Sequence, residues 1–366
     1  MAIAHVDPTN GDDGTGDGSS GSPYASVQGA LDNFTFDTAA PNTIRLANTS
    51  ADVLSSTLSF ATHSPGQKNP LTIAGWDNGG SLTATGPWGQ TFSNVGEIDG
   101  NDAVANIVSL QAYLSFYRIK MHGTTSYCAR FGANSTITEC EIYDVGSTYA
   151  VRAPDRIYNS YIHDTTNMPS SGLCYQSRTV LFSELKGGAS GYRALIGDAI
   201  FANNLVHGFS NTGIEIDESL MVSNNTVDGT GSGASAIGIS ANSAQEGCRV
   251  FNNLVTNFSG SGAVAISLAI SGAGPTILGN NAFYNNTTDV SSDTGSLSFS
   301  NVTESSDPYT NAASGDYSLN SGASSIGAAI ITNADPDNPD NIGAWQDYSS
   351  GGGGATPGMT AHVTVA

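Results

Sequence analysis

Two stretches decide how this chain folds: Asn203-Asn204-Leu205-Val206-His207-Gly208-Phe209-Ser210-Asn211-Thr212-Gly213, and again Asn252-Asn253-Leu254-Val255-Thr256-Asn257-Phe258-Ser259-Gly260-Ser261-Gly262. Both run as an Asn pair, a short apolar strand, a turn, and the start of a second strand. Working outward from them, the same unit recurs from about Phe116 to Tyr284. Ile119, Ile142, Ile162, Leu185, Leu205, Thr226, Leu254 and Ala282 occupy one repeat position, at intervals of 23, 20, 23, 20, 21, 28 and 28 residues. The second strand follows as Tyr127-Cys128-Ala129, Tyr149-Ala150-Val151, Leu173-Cys174-Tyr175, Tyr192-Arg193-Ala194, Gly213 to Ile216, Ala236 to Ile239 and Val264 to Ile266. No unit of this size can hide its own apolar side chains, so neighbours must stack and share one interior. Strands this short, with tight turns and no room for a helix, give an all-β parallel solenoid of about ten coils with strands about 4.8 Å apart. Parallel crossovers make it right-handed. The pairs Asn203-Asn204, Asn224-Asn225, Asn252-Asn253 and Asn280-Asn281 predict a ladder in which each amide bonds the next up the column.

The N-N-L-V-x-x-F-S-x-[ST]-G coil resembles those of right-handed parallel β-helix, pectate-lyase-like proteins, a family that includes polysaccharide lyases, glycoside hydrolases and phage tailspikes. Val6-Asp7-Pro8, Gly11 to Gly14 and Pro23-Tyr24 resemble the opening segment of such proteins. Tyr317 to Ser324 and Asn341 to Ala344 resemble their closing segment. The resemblance implies the fold; the same scaffold carries enzymes and structural proteins alike.

Three regions follow. Residues 1–41 form an opening segment and a short capping helix, for which Tyr24, Val27, Ala30, Leu31 and Phe34 recur at helical spacing and Ser22-Pro23 gives a start. Residues 42–346 form the β-helix, with periodicity fading after Tyr284 into an irregular exit. Residues 347–366 are a Gly-rich linker (Gly351 to Gly354) and a strand-like tail, Thr360 to Val365.

The net charge of −21 and pI near 4.2 repel phosphate backbones and anionic membranes, which excludes nucleic acid as a partner. Polyanionic glycans are disfavoured as well, unless calcium or a local basic patch offsets the field. No stretch is apolar enough to span a membrane, and Met1 to Asp7 has neither the basic segment nor the apolar run of a signal peptide. Cys128, Cys140, Cys174 and Cys248 have no zinc spacing and read as buried free thiols. Cys128 and Cys174, in one column two coils apart, would be about 9.6 Å from each other, too far for a disulfide.

A lyase on this scaffold needs a base and a group to neutralise the substrate carboxylate; a hydrolase needs two carboxylates across one groove. The catalytic candidates are Glu215, Asp217 and Asp198 with Arg193, since alternation puts Glu215 and Asp217 on one outward face. Glycan-stacking candidates are Trp76, Trp88, Tyr149, Tyr175 and Tyr192; with Tyr127, the last three could equally line a subunit contact. Asp7, Asp12 and Asp13 are the carboxylates that could wrap a calcium ion, the one cofactor the sequence suggests, though their spacing is not that of an EF-hand. His122, His163 and His207 follow the repeat anchor in three coils and read as turn-edge surface residues.

The leading functional expectation is a virion-associated structural β-helix (capsid decoration, fibre or tailspike-like), located in the virion or outside the cell. It would be homotrimeric, contact other virion proteins, and bind host glycans without catalysis. The alternatives are a polysaccharide lyase or glycoside hydrolase of the β-helix type, and a secreted surface adhesin.

Overall fold

The computed structural model describes residues 1–76, 95–146, 149–163, 172–188, 193–216, 221–241, 248–268, 277–292 and 297–326, together with Gly343. The fold is a right-handed parallel β-helix whose 28 solenoid strands all pair in parallel; among the described residues, the sole antiparallel pair of strands is a hairpin after the last coil. Each coil of the central solenoid contributes to three sheets in turn. In one coil these are Met221–Ser223, Thr226–Asp228 and Ile237–Ser240; in the next, Arg249–Phe251, Leu254–Thr256 and Val264–Leu268. Successive coils stack in register, for example Met221 on Arg249 and Thr226 on Leu254.

The first and second sheets meet at a one-residue bend in the left-handed region. Asn203, Asn224, Asn252 and Asn280 stand there with φ of 57°, 54°, 54° and 54°. Asn adopts this conformation more readily than most residues, which is why the first Asn of each pair sits here. The second Asn points inward and builds the ladder. Asn204 N and Nδ2 both donate to Asn225 Oδ1 at 3.0 Å, and Asn225 and Asn253 repeat the arrangement on Asn253 and Asn281. Each rung thus satisfies a buried backbone N–H that the bend removes from the sheet. Earlier coils use a shorter side chain: Cys140 N donates to Ser160 Oγ and Ser160 N to Ser183 Oγ, both at 3.2 Å.

The repeat position needs one correction. Ile142, Ile162 and Leu185 do stack, but the residue before them in the inward column is Met121, itself on Ile98, not Ile119, and the column continues through Val206, Val227, Val255 and Phe283. Leu205, Thr226, Leu254 and Ala282 lie one residue earlier and face outward, where a second apolar cluster covers Leu205, Leu254 and Ala282 with Tyr309, Tyr317 and Leu319. Those three residues come from the hairpin Tyr309–Asn311 and Asp316–Leu319, so the exit folds back over the flank of the second sheet. The coils also outlast Tyr284: Val290–Ser292, Leu297–Phe299 and Val302–Thr303 pair onto the previous turn, and Asn301 Oδ1 extends the ladder to Asn281.

At the other end the capping helix is Val27–Asn33, starting at Ser26 rather than Ser22, because the Ser26 hydroxyl accepts from Gly29 N at 2.8 Å. Its Val27, Ala30 and Leu31 close the interior against Ala4, Val6, Ile44 and Leu46. All four cysteines are buried and free. Cys174 registers with Val151, and Val151 with Ala129, so Cys128 is one residue off the column expected for it.

Candidate functional site: the outer face of the third sheet

The third sheet carries the candidate residues. Tyr149 registers on Tyr127, Arg152 on Arg130, and Tyr175 on Arg152 in the next coil. Ala129, Val151 and Cys174 beside them are wholly buried, so alternation directs Arg130, Arg152 and Tyr175 outward. Three phenol rings stack up the face. Tyr127 and Tyr149 lie 6.0 Å apart at 15°, and Tyr149 and Tyr175 lie 4.4 Å apart at 13°. The Arg152 guanidinium sits over the Tyr175 ring at 5.3 Å, and its Nη1 reaches the Tyr127 hydroxyl at 3.5 Å. Farther along, Arg193 Nη1 lies 3.0 Å from Glu215 Oε2, across two strands in register as Arg193 with Thr212 and Ile196 with Glu215. Ile214 and Ile216 are buried and Glu215 is not, as the alternation required.

Of the sequence-derived candidates, this face brings together Tyr149, Tyr175, Arg193 and Glu215. Asp217, Tyr192 and Trp88 lie outside the described residues, as do the side chain of Asp198 and most of 327–366, including the linker and tail. Trp76 belongs to the first sheet, where it registers with Ala47 and meets the His5 ring edge-on at 4.6 Å. It is no part of the tyrosine face.

The three carboxylates proposed for calcium serve separate turns. Asp7 accepts from Thr9 N, Asn10 N and Thr49 Oγ1; Asp12 accepts from Gly14 N and Thr15 N; Asp13 accepts from Ala25 N, Ser26 N and Ser26 Oγ. Among the described residues, no three His, Cys, Asp or Glu side chains gather as metal ligands would. A polar cleft of about 320 Å³ lies in the turns near Thr230, Ser232, Asn257, Ser259 and Asn285. It has no aromatic wall and no charged side chain, so it offers a sugar neither a stacking surface nor an ion partner.

The histidines form a pattern that sequence reading missed. His122, His163 and His207 project from the second sheet, and each Nε2 meets a Glu of the preceding coil: Glu97 at 2.8 Å, Glu141 at 3.1 Å and Glu184 at 2.9 Å. Tyr143 stacks between His122 and His163, at 4.6 and 5.4 Å. Burial opposes the charge on His122, yet the Glu97 hydrogen bond and the nearby Asp99, Glu97 and Asp144 carboxylates together raise its pKa above the ordinary value. The same hydrogen bond holds Glu97 below the usual carboxylate range. The intervals 25, 22 and 23 between partners are coil lengths, a signal open to reading only once the coil register is known.

No protein-family description matches the sequence, and no curated protein matches it. Among solved structures, the chain is similar to pectate lyase Pel9A, with a TM-score of 0.61 at 12% identity over 94% of this chain and 96% of that one. Lesser likenesses are to XylC in complex with xylose (TM-score 0.47, 10% identity, 84% and 86% covered) and to a rhamnogalacturonan lyase (0.43, 11%, 82% and 84%). Fold and comparison together define the architecture: a right-handed parallel β-helix, the fold of pectate lyase Pel9A.

Proposed function

We propose that this chain is a polysaccharide-active protein that receives a glycan along the outer face of its third sheet. The observation that carries the reading is the near-parallel stack of Tyr127, Tyr149 and Tyr175, half-buried and flanked by the Arg152 guanidinium. Aromatic faces offer the apolar C–H surface of a sugar ring a flat contact, and guanidinium groups pair with anionic substituents. The pectate lyase named above acts on a polysaccharide, in keeping with this reading, which is better supported than the virion assignment. The virion reading draws on the absence of a signal-peptide pattern, on the lack of a clear catalytic constellation and on the tail at 347–366, which lies outside the described residues.

For cleavage, Arg193 and Glu215 would divide the work. A guanidinium does not give up its proton in a protein, so Arg193 can neutralise a substrate anion but cannot act as the base. Glu215, 3.0 Å away, is the member of the pair able to accept a proton. A screen of the purified chain on acidic and neutral polysaccharides, following both binding and release of unsaturated or reducing ends, tests the proposal. Tyr149→Ala is expected to weaken glycan binding by about tenfold. Glu215→Gln is expected to lower turnover while leaving binding nearly intact. Binding that ignores Tyr149→Ala, or no binding to any glycan, would sink it.

A further inference from the structure

The feature that the fold does not explain is the pair Arg130 and Arg152. They lie directly opposite each other on adjacent coils, in register and outward, at the strand spacing of about 4.8 Å. Like charges in that position repel and destabilise a sheet. The chain holds 32 acidic residues against 11 Lys and Arg, so a neutralising neighbour would be easy to supply. Elsewhere it is supplied: Arg118 is 2.6 Å from Glu139 and Lys120 is 3.2 Å from Glu141. No ion pair joins either Arg130 or Arg152 to a carboxylate among the described residues. Instead Arg152 is braced by the Tyr175 ring at 5.3 Å and the Tyr127 hydroxyl at 3.5 Å, a setting that holds a guanidinium still without neutralising it.

We infer that Arg130 and Arg152 form an anion site for the sulfate ester of a sulfated polysaccharide, beside the tyrosine stack that would hold the sugar ring; this rests on the glycan-binding reading above. A carboxylate offers two oxygens in one plane and is well served by a single guanidinium fork. A sulfate ester spreads its charge over three oxygens pointing in different directions, so two guanidiniums carried on adjacent strands can share it. Guanidinium is also weakly hydrated, and so gives up less on pairing with a diffuse anion than an ammonium would. Such a local cationic pair is also what an anionic glycan needs to approach a chain carrying a net charge of −21.

The test is calorimetric titration of the full chain with a sulfated galactan, the same galactan after desulfation, and a polygalacturonate of similar length. The inference expects the sulfated polymer to bind at least about tenfold tighter than the other two, with Arg130→Gln and Arg152→Gln each removing most of that preference. Both variants should keep the wild-type circular dichroism spectrum, and Arg130→Lys should restore only part of the preference because an ammonium lacks the planar fork. Equal or tighter binding of polygalacturonate, or a sulfate preference untouched by both Gln variants, overturns the sulfate site while leaving the glycan reading standing. If the desulfated polymer binds as well as the sulfated one but Tyr149→Ala abolishes both, the sulfate site is again excluded. If none of the three polymers binds, the sulfate site and its glycan premise fall together.

Discussion

The outer flank of the second sheet is built in two ways along one continuous backbone. From Leu205 to Ala282 it lies beneath the exit hairpin: Leu205, Leu254 and Ala282 meet a cluster that includes Tyr309, Tyr317 and Leu319, while the buried Thr256 and Asp228 bond the hydroxyls of Tyr309 and Tyr317. From Glu97 to His207 the equivalent positions hold Glu–His pairs and stacked rings, braced by Lys120 beside Glu141. The junction falls at His207, whose ring meets Tyr317 at 4.9 Å while its Nε2 meets Glu184. A strand position therefore has no fixed chemistry in this solenoid. Where later chain returns to cover it, its outward residues are apolar or bonded to the covering tyrosines; elsewhere they pair with a partner one coil away.

That contrast can be broken most severely on the covered side. Leu254→Ala should lower unfolding stability by about 2–5 kcal/mol, because a buried side chain is lost from a cluster with little room to collapse. Urea denaturation would measure it, and a loss below 0.5 kcal/mol would mean the hairpin does not seal the flank. Next, Tyr317→Phe removes the hydroxyl that donates to Asp228 Oδ2 at 3.0 Å in a buried site, which should cost about 1–3 kcal/mol. Hydrogen exchange should show the loss first in residues 309–319; uniform change across all coils would contradict a local latch.

On the ion-paired side the effects should be smaller. Glu141→Gln replaces a carboxylate that serves both His163 and Lys120, and about 1 kcal/mol is expected in thermal unfolding at pH 6. The smallest effect is a pH signature. Glu97 has its pKa lowered from 4.5 by His122, so its stabilisation is present above that value and is lost as pH falls through the depressed one. His122 has its pKa raised from 6.5, so its stabilisation is full below that value and is lost as pH rises through the raised one. The pair should therefore contribute most between about 4.5 and 6.5. The difference in melting temperature between wild type and His122→Gln should peak in that window and shrink at pH 3 and pH 9. A difference flat in pH would show that the pair acts only through packing.

The amino-acid sequence by itself determined the class of fold. Repeats of about one coil, paired asparagines and turn residues are local signals, and stacking identical units leaves almost no alternative architecture. Buried thiols, the capping helix and the outward face of Glu215 were readable for the same reason. Register was not. In Asn203-Asn204-Leu205-Val206 both hydrophobic residues could face the core, and the left-handed bend at Asn203 turns Val206 inward and Leu205 out. An outward leucine is tolerable only because a hairpin about one hundred residues later returns to cover it. The Glu–His pairs and the opposed Arg130 and Arg152 join residues 22–25 positions apart, so each depends on how one coil settles on the next. Those contacts are decided by tertiary stacking, because a shift of one residue in a strand reverses which side chains meet.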